Sequence, residues 1–200
     1  MSVTLLTGLG ELNTNFILND FDMYIQNTSA TGGYVSTDWA KVGYTSPEKT
    51  VTPIREVYTR EDKVPRVPTY QKTIRAGLEL KFGLSNQNED FEAMVSRGSK
   101  STSSTATRIA HGTEEASTEY RAVRLVTTRD DGKYYAITVP KCEISMDGDK
   151  TYGGVDSEVI TPLTLKAFYC SNLDATANLW YENYWATSVS PTADVPGGYA

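Results

Sequence analysis

Between residues 70 and 97 the hydrophobic period of the chain changes from two to nearly four. Ile74, Ala76, Leu78, Leu80 and Phe82 alternate with Arg75, Gly77, Glu79 and Lys81. Strict alternation over that length predicts a strand with one buried and one wet face. Phe91, Met94 and Val95 then fall at helical spacing, with Asn88 placed to cap and Glu89, Asp90 and Glu92 in the first turn. Arg97 is expected to close the last turn and Gly98 to end it, so acids sit at the positive end of the helix and a base at its negative end. A helix of about three turns is marginal alone and needs a sheet to lie on. A β-domain with one flanking helix, about residues 88–97, is therefore the minimum this chain must build.

The rest of the sequence adds strands and arms. Residues 1–13, loosened by Gly8 and Gly10, read as an N-terminal arm. Short strands are expected over residues 16–18 and 21–25, on either side of an Asn19-Asp20 turn. Another begins at Trp39 and is expected to break at Pro47. Pro53 places the following segment at an edge, and a long loop is expected over about 46–70. Residues 99–107, SKSTSSTAT, read by composition as a linker or mobile loop. The run 120–127 turns at Asp131-Gly132, a strong hairpin signal, and returns through 133–146 with Pro140 interrupting it. The last long strand is expected within 157–170, with Val159, Leu163, Leu165 and Ala167 toward the core. Residues 171–200 read as a C-terminal arm or extension. The chain is thus expected to be mainly β: one antiparallel β-sandwich or barrel-like domain over 14–170, with extended loops and terminal arms.

Charge and cysteine content narrow the function. The formal net charge is −6, and it is uneven: residues 1–100 carry 12 acids and 11 bases, residues 101–200 carry 13 acids and 8 bases. That balance argues against a nucleic-acid binder that grips phosphates through Lys and Arg, though not against a surface that must avoid gripping them. The two cysteines, Cys142 and Cys170, are too few for a disulfide scaffold and lack metal spacing, so both are expected reduced and structural. The start lacks a basic n-region and an apolar core, and no apolar run approaches the roughly 18–20 residues of a membrane span. Synthesis and assembly in a cytoplasm are expected.

No set of residues points to catalysis. His111 is the single histidine and has no recognisable partner for a dyad or a metal set. Asp147, Asp149, Asp156 and Glu158 could face a hard cation, but Asp-Gly-Asp is ordinary turn chemistry. Gly8-Leu9-Gly10 lacks the third glycine and the helix of a phosphate cradle. Trp180, Tyr181, Tyr184 and Trp185 could stack on sugars, or simply pack a terminal segment onto the body. No enzyme activity and no cofactor are expected. Around residues 55–75, Arg55, Arg60, Lys63, Arg66, Lys72 and Arg75 outnumber Glu56, Glu61 and Asp62. This basic stretch in an acidic protein is either a solvated hairpin or an arm that meets an acidic surface on another copy.

The order of these features resembles the major tail tube proteins of long-tailed bacteriophages and of related phage-derived particles. The similarity runs over about residues 20–170: Trp39-x-x-Val42-Gly43-Tyr44-Thr45, a charged loop with prolines, the alternating strand running into a helix, then TVPKCEISMDGD and SEVITPLTLKAFY. The stretch past Cys170 has no counterpart in that pattern. The resemblance implies a β-sandwich flanked by a helix, copies of which form rings of six that stack into a tube around a DNA channel. It implies a virion protein of the tail, assembled in the host cytoplasm, that partners itself and the tape measure and tail terminator or tip proteins. DNA would pass through without specific binding. Six copies at −6 carry about −36 per ring if pKa values stay near reference, which would let phosphates slide instead of stick. Glu79, Glu143 and Glu158 are the candidate channel-facing acids, and Arg55, Arg60, Lys63, Arg66 and Lys72 the candidate ring-stacking loop. The alternatives are a non-catalytic carbohydrate-binding sandwich and another tail or head–tail structural protein of similar fold.

Overall fold

A computed structural model describes residues 21–27, 38–61, 68–85, 89–111, 119–150, 159–173 and 178–185, with the backbone alone at 60–61, 68–71 and 74. In chain order the elements are β1 (Asp22–Gln26), β2 (Trp39–Glu61), β3 (Pro68–Ser85), α1 (Glu89–Val95), β4 (Ser99–Thr102), β5 (Thr107–Ala110), β6 (Tyr120–Thr128), β7 (Tyr134–Met146), β8 (Thr161–Ala167) and β9 (Tyr181–Tyr184). The expected mainly-β fold with one helix is present. The main sheet runs β6-β1-β2-β3-β8-β7-β9, every pairing antiparallel, and a further β6–β7 pairing closes six of these strands into a barrel.

Alternation fixes what the barrel holds. Leu78, Leu80, Phe82 and Leu84 of β3 are buried, facing Met23 and Ile25 of β1, Val123 and Leu125 of β6, and Leu163 and Leu165 of β8 in one cluster. Each such side chain contributes about 1.5–3 kcal/mol when fully buried. Phe91 and Val95 of α1 join the same cluster, so the helix docks by its apolar face. Val159, expected in the core, is exposed, because it precedes the paired length of β8, Thr161–Ala167.

Two prolines expected to interrupt strands do not end them. Thr45 pairs with Leu84 and Lys49 with Phe82, so Ser46, Pro47 and Glu48 stand opposite Gly83 alone. Pro47 sits in that bulge, and the Gly83 N–H donates to Ser46 Oγ at 3.0 Å in place of a ladder bond. In β7, Val139 pairs with Val123 and Cys142 with Arg121, which puts Pro140 and Lys141 opposite Ala122. A bulge tolerates a residue that has no N–H to give.

The low-complexity stretch is a hairpin and not a linker. β4 and β5 pair from Ser99↔Ala110 to Thr102↔Thr107. Ser103 ties the turn: its N–H donates to the Ala106 carbonyl at 2.9 Å, and its Oγ accepts from the Ala106 N–H at 3.2 Å. Local hydroxyl-to-backbone bonds made the segment structured where composition suggested the reverse. The Asp131-Gly132 turn forms between β6 and β7, with Gly132 at φ 75° and the Arg129 N–H donating to the Lys133 carbonyl at 2.7 Å.

The helix ends two residues earlier than expected, at Val95 instead of Arg97. Arg97 lies beyond the last turn, in the left-handed region at φ 50°. The Gly98 N–H reaches the Ala93 carbonyl at 2.9 Å and the Arg97 N–H reaches Met94 at 3.3 Å, the paired bonds of a Schellman stop. Gly98 is needed for room: a Cβ there would lie 2.6 Å from Ile109 Cγ2 and 3.0 Å from His111 Cε1.

Part of the expected C-terminal extension belongs to the sheet. β9 pairs with the first half of β7, from Tyr135↔Tyr184 to Thr138↔Tyr181. Cys170 and Leu173 cover Ala122 on the outside of β6, with Trp39 packed beside them. β6 is buried from Ala122 through Thr127, and on its outer face this second layer covers Ala122 while Trp39 covers Arg124.

Candidate assembly surface

The segment expected as a long loop is mostly a ribbon. β2 and β3 pair continuously from Lys49↔Phe82 to Glu61↔Pro68, apart from shifts beside Glu56 and Arg60. β1 flanks β2 only along 39–44, and β8 flanks β3 only along 79–84. Beyond Pro53↔Leu78 the two strands therefore have only each other among the described residues. Residues 53–61 at about 3.3 Å each carry the ribbon about 30 Å past the barrel.

Both faces of the ribbon are wet. Val57, Tyr58, Arg55, Glu56, Lys72 and Arg75 are all exposed. Arg55 Nε donates to Thr73 Oγ1 at 3.2 Å, and Arg75 Nη1 pairs with Glu56 Oε1 at 3.0 Å. Lys72 stands directly across from Tyr58, so the two share a face. Among the residues with described side chains, three bases face one acid here. Of the five candidate stacking residues, the structure places Arg55 and Lys72 on the ribbon. Arg60 lies on β2 with its backbone alone described, and Lys63 and Arg66 lie outside the described residues.

Of the three candidate channel-facing acids, two come together. Glu79 and Glu143 both stand opposite Lys166, on either side of it across β3, β8 and β7. Each has a cation at hand: Lys81 Nζ is 3.3 Å from Glu79, and Arg97 Nη2 is 2.5 Å from Glu143. Lys81 also meets Asp147 at 3.0 Å, and Thr164 Oγ1 donates to the same Asp147 oxygen at 2.8 Å. The Thr164 bond and then Lys81 hold the Asp147 carboxyl below its ordinary value, and the two acids raise Lys81. This face is thus polar but locally neutralised. Glu158 lies outside the described residues, as does Asp156.

At the start of β2, α1 and the β1–β2 pair line an open cavity of about 500 Å³. Ile25, Val42, Phe91 and Met94 supply apolar wall, and Asp90, Glu119, Lys100 and Arg121 line it too. The acids project and the bases are recessed. The Glu89, Asp90 and Glu119 side chains are 62%, 81% and 48% exposed, against 26% for Lys100 and 19% for Arg121. Lys100 Nζ meets Asp90 at 2.6 Å and Arg121 Nη2 meets Glu119 at 2.6 Å. Arg121 also donates to the carbonyls of Gln26 and Asn27, tying β6 to the end of β1. No sequence pattern announced this cavity, because its walls come from five separate stretches. The acids in the first turn of α1 were its one visible trace.

Of the aromatic group, Trp180 packs against the core, Tyr184 of β9 meets Tyr135 with ring centroids 4.8 Å apart and planes tilted by 45°, and Tyr181 begins β9. His111 is exposed beside Gly98. Among the described residues no group of three or more His, Cys, Asp or Glu could hold a metal ion, and no helix is long and apolar enough to cross a membrane. Both cysteines are free and buried; Cys142 donates to the Arg121 carbonyl at 3.2 Å, and burial pushes its thiol pKa far up. No known family matches the chain, and no curated protein matches it.

Proposed function

We propose that this chain is a structural subunit that acts by binding copies of itself, of the tail-tube kind. The observation that carries the reading is the β2–β3 ribbon. A two-stranded ribbon in water is marginal at best, and open strand edges are hazards unless something is meant to pair with or cover them. This one is long, exposed on both faces and open along both outer edges among the described residues. Another copy is the natural cover, because repeated identical contacts close rings or extend filaments.

In this reading the barrel serves as the sandwich of the tube wall, in rings of six stacked around a channel for DNA. The protein works in a virion tail, without catalysis or cofactor, beside tape measure, terminator and tip proteins. The polar row Glu79–Lys166–Glu143 is the candidate channel face. Its paired charges would hold a phosphate backbone weakly in either direction, and the net charge of −6 per copy supplies the wider repulsion. Negative-stain electron microscopy of the full-length protein across concentrations tests the class. Hollow particles of uniform width are expected; a monomer at every concentration, alone and with its initiating tail-tip complex, would overturn it.

A further inference from the structure

The ribbon and the cavity beneath α1 sit at opposite ends of the same strand, β2: Ala40, Lys41 and Val42 line the cavity, and the ribbon begins past Pro53. A surface at one end that fits a surface at the other makes a head-to-tail contact, which propagates from copy to copy. We infer that the ribbon of one copy seats on the α1 end of the next, with Tyr58 entering the cavity and Lys72 beside it facing Asp90, Glu89 and Glu119. This rests on the self-assembly reading and names the surface that receives the ribbon.

Shape and charge both favour the match. Tyr58 is more than half exposed, and among the described residues no strand flanks it to cover its ring. The cavity offers apolar wall from Ile25, Val42, Phe91 and Met94 and is roomy enough for a phenol ring. Its rim meets an approaching cation with carboxylates first, since Lys100 and Arg121 lie deeper and are already engaged by Asp90 and Glu119. The ribbon presents Lys72 on the Tyr58 face, while Arg55 bonds Thr73 on the opposite face and Arg75 is engaged by Glu56. An aromatic anchor in a pocket with charges at its edge is the usual division of labour at an interface: the anchor supplies affinity, the charges supply orientation and rate.

The test is the concentration at which the full-length protein assembles, read by sedimentation, with thermal melting of each variant to confirm the fold. Tyr58→Ser and Lys72→Glu are each expected to raise that concentration at least tenfold, about 1.4 kcal/mol, while melting stays unchanged. Asp90→Lys should do the same, with Asp90→Asn as a gentler variant in case the reversal harms α1. Lys72→Glu and Asp90→Lys in one chain should restore assembly to within about threefold of wild type. Wild-type assembly that ignores Tyr58→Ser and Lys72→Glu, or a double reversal that recovers nothing, overturns this contact and leaves self-assembly standing. A wild-type protein that stays monomeric under every condition overturns both.

Discussion

Arg97 reaches Glu143 across the gap between α1 and β7, with Nη2 2.5 Å from Oε1, from a backbone held at φ 50°. Glycine is the usual residue at that left-handed stop, so the arginine carries a backbone cost that its side-chain contact offsets. Arg97→Ala keeps the cost and loses the contact, and should destabilise by about 1–2 kcal/mol. Arg97→Gly loses the contact but relieves the backbone, and should fall near neutral. Urea unfolding of the two variants checks the order; equal losses would mean the backbone term is negligible here.

Gly98 answers to packing instead. A Cβ would sit 2.6 Å from Ile109 Cγ2, so Gly98→Ala must push the β4–β5 hairpin off α1. A loss of about 1–3 kcal/mol is expected, as for other overpacked sites. Pairing it with Ile109→Ala should recover part of that loss, which a double-mutant cycle would read as coupling.

Arg124 is fully buried, its Nε donating to Thr138 Oγ1 at 3.1 Å and its guanidinium 4.5 Å from the centre of the Trp39 ring. A planar cation suits that stack and a lysine does not. Arg124→Lys should cost about 1–3 kcal/mol by thermal or urea unfolding, and Trp39→Leu should make the lysine less harmful than it is beside Trp39.

How much of this was legible follows from range. The buried row Leu78, Leu80 and Phe82, the start of α1 at Glu89 and the Asp131-Gly132 turn are set by neighbours within a few residues, and periodicity or turn chemistry reads those directly. Pro47 and Pro140 misled because a bulge is a property of two strands: only the partner's register reveals the room for an extra residue. The hairpin at 99–110 was hidden by its own composition, since Ser and Thr serve a linker and an Ser103-tied turn equally well. The cavity under α1 draws on β1, β2, α1, β6 and the residues beside them, so no local window contains it. Glu79 and Glu143 were placed on polar faces correctly by alternation, but Lys166 between them, and the cations beside them, are products of strand order.

Asp147 gives the polar face a pH signature. Its carboxyl is held below the ordinary value in the folded protein, first by Thr164 and then by Lys81. A folded pKa below the unfolded one means stability that is present above the unfolded value and lost as pH falls through the folded one. Lys81 runs the other way: its folded pKa is raised, so its share persists below the unfolded lysine value and is lost as pH rises through the folded one. Asp147→Asn should therefore lower the melting temperature near pH 7, and the gap from wild type should close below about pH 4. A gap that persists into acid would assign the effect to packing.

The ribbon separates folding from assembly, and that can be tested by removing it. The buried length of β3 begins at Leu78, and the residues beyond it add nothing to the described core. Joining Ile54 to Gly77, which already face each other, through Asn-Gly in place of 55–76 makes a two-residue hairpin turn of a favoured type. The shortened chain should keep the barrel's β-sheet signature and melt close to wild type, because shortening a connection changes closure entropy only slightly. It should also stay monomeric at concentrations where wild type assembles. Loss of the fold would mean the ribbon supports the barrel, and retained assembly would move the contact to another face of the barrel.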